Sequence, residues 1–265
     1  IDEEQRFGVK HKEKMKRARV NVDILTLTAT PIPRTLYLAL MGGKDISKIE
    51  TPPVARLPVH TEVVEHDKKW VRGAIEKELS RKGQVYYVHN RVETIDHVAL
   101  ELSRIVPGAK LMVGHGQMSP KILEGTMLKF IKGEIDVLVC TTIIGSGIDI
   151  PNANTMIIDS ADKFGLADLY QLRGRIGRFD RKAYAYLIVR DFHTLTHEVE
   201  KRLNAIKRYQ KLGSGFKIAM RDLEMRGAGN ILGVKQSGFI DQVGFDLYCR
   251  LLNTEIRSQK NCQKT

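Results

Sequence analysis

The chain has 265 residues, 42% hydrophobic and 28% charged, the balance of a folded globular protein with one large core or two smaller ones. No apolar run nears the ~20 residues with which a helix spans a bilayer, so no membrane-spanning helix is expected. A net charge of +12 suits polyanions such as nucleic acid through counterion release, and equally a soluble surface with a lysine bias.

The first residues, "IDEEQRFG", place Asp2 and Glu3 behind an apolar residue, as a buried strand delivers carboxylates to a magnesium–nucleotide site. Starting on Ile rather than Met, the chain reads as a piece of something longer. "KHKEKMKRAR" reads as a solvated helical face. "VDILTLTATPIPRTLYLALMG" then reads as strand, loop and helix, with Pro33 in the helix's first turn, and "DISKIET" as a further strand. Three of the chain's eight prolines fall in "TPPVARLP", residues 51–58, which predicts an extended linker.

Strands and helices alternate from there. Strands are expected near Thr61–Glu65 and at "QVYYVHN", "KLMVGHG", "VLVCTT", "TMIIDSA" and "AYAYLIV". Helices are expected from about Asp67, from about Val92, after the N-cap Ser119 with Pro120 at the first position, and around Leu166–Gln171. Continuous apolar strands alternating with amphipathic helices indicate an α/β fold: a parallel sheet covered on both faces, with sites at the carboxyl ends of its strands. From His193 the pattern is basic and helical, broken by glycines. Three cysteines without CxxC spacing suit a reducing cytosol, and Cys140, inside "VLVC", is expected in the core.

Chemistry concentrates in four places. An acidic pair such as Asp2 and Glu3 would need a phosphate cradle, G-x-x-x-x-G-K-[ST]. The chain's one Gly-Lys pair, Gly43-Lys44, lacks it: Leu38 stands where the first glycine should, and Asp45 follows the lysine. In "QLRGRIGR" Arg173, Arg175 and Arg178 alternate with glycines, which favours phosphate contact over a basic helix end. In "TTIIGSGIDIPNANT" hydroxyls and a Gly-x-Gly loop end a buried strand, an arrangement equally suited to a phosphate and to a plain turn. "RDLEMRGAGNILGVKQSG" breaks a helix with glycines, at a cost of about 1 kcal/mol each, and holds Arg226 and Gln236.

In order and spacing these blocks resemble those of superfamily 2 helicases: "DEEQ" motif II, "TAT" motif III, "VYYVHNR" a motif IV strand, "TTIIGSGIDIP" motif V and "QLRGRIGR" motif VI. Residues 202–238 resemble the translocation motif of the double-stranded DNA translocases in this superfamily. "TPPVARLPV" and "VGFDLYCRLL" resemble the branch that couples transcription to repair. The resemblance implies RecA-like lobes: residues 1–50 the end of a first motor lobe, 51–60 a linker, 61–192 a second lobe and 193–265 a helical hairpin. It implies ATP and Mg²⁺ as cofactors, a bacterial cytoplasmic location, double-stranded DNA as the track, and RNA polymerase and excision-repair proteins as partners reached through other domains.

By the same resemblance, Asp2 and Glu3 would bind Mg²⁺ and orient water, and Thr28 and Thr30 would couple hydrolysis to DNA. Asn90, Arg91, His115, Thr141 and Thr142 would line the DNA. Gly147 and Asp149 would meet the nucleotide's edge, with Gln171 as sensor and Arg175 and Arg178 as arginine fingers. Arg202, Arg226 and Gln236 would transmit nucleotide state. The chain departs from the family at Gly145, where motif V carries Glu, so a carboxylate is missing there and the backbone gains freedom. Lacking the phosphate cradle, these residues are expected to be inactive alone. The alternatives are a fork-remodelling translocase, a non-catalytic DNA- or partner-binding fragment and, from another class, a small-molecule α/β enzyme.

Overall fold

A computed structural model describes residues 1, 3, 22–29, 46–49, 51, 56–142, 150–178, 181–226 and 254, with backbone alone at 223, 224 and 226. The chain divides into two compact units, residues 51–214 and residues 1–50 with 215–265.

The larger unit is built on a six-stranded sheet whose pairs are all parallel. Its strands are β1 (His60–Glu65), β2 (Gln84–Val88), β3 (Leu111–Gly114), β4 (Val137–Cys140), β5 (Ala153–Ile158) and β6 (Tyr184–Val189), in the order β1-β6-β5-β2-β4-β3. The helices are α1 (Lys68–Ser80), α2 (Val92–Ile105), α3 (Pro120–Ile131), α4 (Leu166–Arg173) and α5 (His197–Arg208). The parallel α/β fold expected from the sequence is therefore the fold observed.

The period of two explains the layers. Val85 and Tyr87 of β2 face one way, into a core with Val71 and Ile75 of α1 and Ile95 and Leu102 of α2. Tyr86 between them faces the other way, its ring centroid 5.1 Å from that of Phe130 in α3. Every residue of β2, β4 and β5 is buried, as strands covered on both faces must be. Each fully buried aliphatic side chain contributes roughly 1.5–3 kcal/mol of transfer free energy. Cys140 is fully buried among them, and burial pushes its thiol up, so the core role expected of it holds.

Local signals set the helix starts. Asp67 caps α1 by accepting from the Lys69 N–H at 2.8 Å, and Thr196 caps α5 through the Val199 N–H at 3.4 Å. Ser119 and Pro120 open α3 as expected, although the Ser119 side chain makes no capping bond. At the amino edge of the sheet the buried carboxylate of Glu78 accepts from Arg81 and from the Thr155 hydroxyl. Sites in open parallel sheets lie at the opposite, carboxyl edge.

One sequence expectation changes. Residues 46–49, within the expected strand "DISKIET", are irregular. All four are exposed, Ile49 by 90%, and Lys48 lies 3.7 Å over the Phe216 ring of α6 (Gly215–Arg226) instead of entering a ladder. The end of the expected linker packs on the fold. Val59 is buried, and residues 56–59 pack on the loop after α4. The helical face at 10–19, the helix after Pro33 and the glycine-broken segment beyond residue 226 lie outside the described residues.

Candidate functional site

Three adjacent strands collect the residues expected along nucleic acid. The His89 N–H donates to Cys140 O at 2.8 Å and the Thr141 N–H to Gly114 O at 3.4 Å, so the chain leaves β2, β4 and β3 in step. Asn90 and Arg91 therefore follow β2, Thr141 and Thr142 follow β4, and His115 follows β3, all along one edge. Asn90, Arg91 and Thr142 are exposed, while His115 and Thr141 are half-buried. Such an edge offers amide, hydroxyl, imidazole and guanidinium donors, the groups that bond phosphate oxygens.

A histidine not singled out in the sequence holds this edge. His89 Nδ1 donates to Asp159 Oδ2 at the end of β5, 2.7 Å away, and in the neutral ring Nε2 accepts from the Thr94 hydroxyl in the first turn of α2, also at 2.7 Å. Burial pushes the Asp159 carboxyl up, but hydrogen bonds from His89 and Ser160 outweigh it and hold the group below its ordinary value. Ser160 itself sits at φ 50°, a left-handed conformation that costs a non-glycine residue about 1–3 kcal/mol and concentrates at working sites. His89 and Asp159 are 70 residues apart, so no local pattern announces the pair.

The second group follows α4. Gln171, Arg175 and Arg178 are half-buried on its last turn and the loop after it, anchored by Ile176 at 1% exposed. Arg173 differs from the expectation that all three arginines of this run contact phosphate. It is buried, with Nη1 donating to Ile206 O at 2.9 Å and Nη2 to Tyr209 O at 2.8 Å. Burial pushes its pKa down to about 10, which leaves it charged at neutral pH. Arg173 therefore closes the C-terminal end of α5, where a cation meets the helix dipole. Arg173→Met is expected to lower the unfolding free energy by about 3 kcal/mol, for two charge-assisted bonds lost, read from urea unfolding of this chain. An unchanged midpoint would remove Arg173 from the helix end.

Arg202, on α5, donates from Nη2 to Asp162 O at 2.6 Å, which ties α5 to the segment between β5 and α4. The side chains of Arg226 and Gln236, expected to act with it, lie outside the described residues, as do Asp2, Thr30, Gly145, Gly147 and Asp149.

In the smaller unit the opening residues and 25–27 form a backbone ladder: Glu3 N–H to Leu27 O at 2.9 Å and Leu27 N–H to Ile1 O at 2.8 Å. The Glu3 carboxylate accepts from the Thr28 hydroxyl at 3.2 Å and the Ala29 N–H at 3.0 Å. The two motifs expected to carry hydrolysis and its coupling thus touch through Glu3 and Thr28. Glu3 lies at φ 48°, a further left-handed non-glycine residue. Mg²⁺ takes one or two protein carboxylates and completes its shell with water and phosphate oxygens. The Glu3 carboxylate is a ligand type that suits that demand, and among the described residues no three His, Cys, Asp or Glu gather into a group that could hold a metal ion.

Residues 69–180 match the helicase conserved C-terminal domain. Over 260 residues, 98% of its length, it is 60% identical to the transcription-repair-coupling factor of Bacillus subtilis (strain 168), and over 264 residues 55% identical to that of Staphylococcus haemolyticus (strain JCSC1435). It is homologous to a segment of these factors and spans 22% and 23% of their respective lengths. Among solved structures it is similar to RecG bound to a three-way DNA junction, at 37% identity and a TM-score of 0.69, over 95% of this chain and 33% of that one. Within the matched residues, Asn90, Arg91, His115, Thr141, Thr142, Gln171, Arg175 and Arg178 all follow the carboxyl ends of strands or stand on elements reached from them. Among the described residues no helix is long and apolar enough to cross a membrane.

Proposed function

We propose that this chain supplies the second motor lobe, and the start of a transmission hairpin, of an ATP-driven double-stranded DNA translocase that couples transcription to repair. The observation that carries the reading is the alignment of Asn90, Arg91, His115, Thr141 and Thr142 along the carboxyl ends of three adjacent strands in a chain of net charge +12. The 60% identity to a transcription-repair-coupling factor supports the repair context.

Along that edge the side chains bond the phosphate backbone and read little base sequence, as a motor that moves over any sequence requires. Gln171, Arg175 and Arg178 turn toward the terminal phosphates of the nucleotide, where fixed guanidinium groups stabilise charge that develops during transfer. Glu3, held by Thr28 and Ala29, orients the attacking water, and the Glu3–Thr28 bond carries a change at the phosphates to the DNA side. Asp2, with Glu3 beside it, would hold Mg²⁺, which when bound neutralises phosphate charge. Gly147 and Asp149 would meet the nucleotide's edge and Thr30 would act beside Thr28. Arg202, Arg226 and Gln236 would pass the state into the hairpin. RNA polymerase and excision-repair proteins would engage other domains of the bacterial cytoplasmic protein.

The similarity to RecG on a three-way junction favours one second reading, a fork-remodelling motor. The two separate in one comparison using the full-length protein. Displacement of stalled RNA polymerase with little fork regression is expected, and the reverse would favour the fork. The 265 residues alone are expected to hydrolyse no ATP above background with or without duplex DNA, and measurable turnover would overturn that part of the reading.

A further inference from the structure

Gly174 and Gly177 each precede an arginine, so each glycine carbonyl belongs to the peptide plane that also carries the N–H of Arg175 or Arg178. The Gly174–Arg175 plane is also held through the Arg175 N–H, which donates to Leu172 O at 2.9 Å, whereas glycine on the amino side leaves the Gly177–Arg178 plane freer to swing. Both carbonyls are held by one side chain. Arg56, half-buried in the extended segment before β1, donates from Nε to Gly177 O at 3.2 Å and from Nη2 to Gly174 O at 3.4 Å. Gly177 also packs against the Val59 side chain of the same segment. A Cβ at Gly177 would stand 2.9 Å from Val59 Cγ2 and 3.9 Å from Leu57 O.

We propose that Arg56 is a positioning residue for the arginine pair: its planar fork sets the two peptide planes from which Arg175 and Arg178 project. This assignment rests on the nucleotide role proposed for that pair and adds the group that aims it. The fork geometry matters because a guanidinium reaches two carbonyls from one rigid plane, whereas a lysine ammonium is a single point on a flexible stem. Arg56 also lies in the segment by which the chain passes from one compact unit to the other, with the boundary at residues 50 and 51.

The test uses the full-length protein and compares Arg56→Lys, Arg56→Ala and Arg178→Ala. For both Arg56 variants the turnover number of DNA-stimulated ATP hydrolysis is expected to fall roughly 10- to 100-fold, the scale of a slightly misplaced catalytic group. KM for ATP and duplex affinity should change less than about twofold, since binding surfaces are untouched. Added guanidinium ion should restore part of the activity of Arg56→Ala and none of Arg178→Ala. Wild-type turnover in Arg56→Ala would overturn the assignment. So would a loss of turnover that merely follows a lowered melting temperature and resists guanidinium. Full ATPase in Arg178→Ala would instead refute the nucleotide role of the loop itself, and the assignment would fall with it.

Discussion

Arg178→Ala in the full-length protein is expected to lower DNA-stimulated ATP hydrolysis by about 10³ or more, the range over which arginine fingers act. Nucleotide affinity is expected to stay within a few-fold. The asymmetry is physical. A guanidinium aimed at charge that grows on the transferring phosphoryl group stabilises the transition state more than the bound nucleotide, so it lowers the barrier without deepening the ground state. The loop suits that task because its conformation is fixed before any nucleotide arrives. Ile176 is buried between the two arginines, Gly177 packs on Val59, and Arg56 holds the carbonyls on either side of Arg175. A preorganised group costs no reorientation when the charge develops. Measuring ATP hydrolysis and nucleotide binding together decides the matter. Equal losses in both would make Arg178 an ordinary binding contact.

The parallel sheet was legible because burial on both faces requires unbroken apolar strands, and "VYYV", "VLVC" and "MII" are such runs. Residues 46–49, expected within a strand, have apolar residues but pair with no strand among the described residues, and the sequence contains no partner information at that range. Arg173 was misread for a local reason. The helix was expected to end at Gln171, but α4 continues to Arg173. Extended by those two residues, its inward stripe runs through Leu166, Leu169 and Arg173, and a buried arginine follows from the helical period. Its neighbours Arg175 and Arg178 fall past the helix end, where that period no longer applies. Arg56 could not be found this way. Its acceptors lie 121 and 118 residues further along the chain, and a lone arginine in a proline-rich stretch looks like a solvated link.

Gly177→Ala is expected to cost about 2–5 kcal/mol, the sum of a left-handed backbone at a residue with a Cβ and an overpacked contact. Both terms are present: φ is +65°, and the added Cβ would lie 2.9 Å from Ala183 Cβ and 2.9 Å from Val59 Cγ2. For a unit of this size the melting temperature should fall by roughly 2–4 °C per kcal/mol. Gly73→Ala and Gly125→Ala are the internal controls. They lie within α1 and α3, a Cβ there meets nothing within 4 Å, and each should stabilise by about 0.5–1 kcal/mol. The contrast separates a glycine required by its surroundings from glycines that merely occupy a helix. It also bears on function, because a methyl group at 177 must push the segment before β1 away from the loop that Arg56 holds. If Gly177→Ala melts with the wild-type chain, the loop is soft enough to absorb the methyl. A loop that soft could not keep the peptide planes of Arg175 and Arg178 fixed, and a preorganised arginine pair would lose its physical basis.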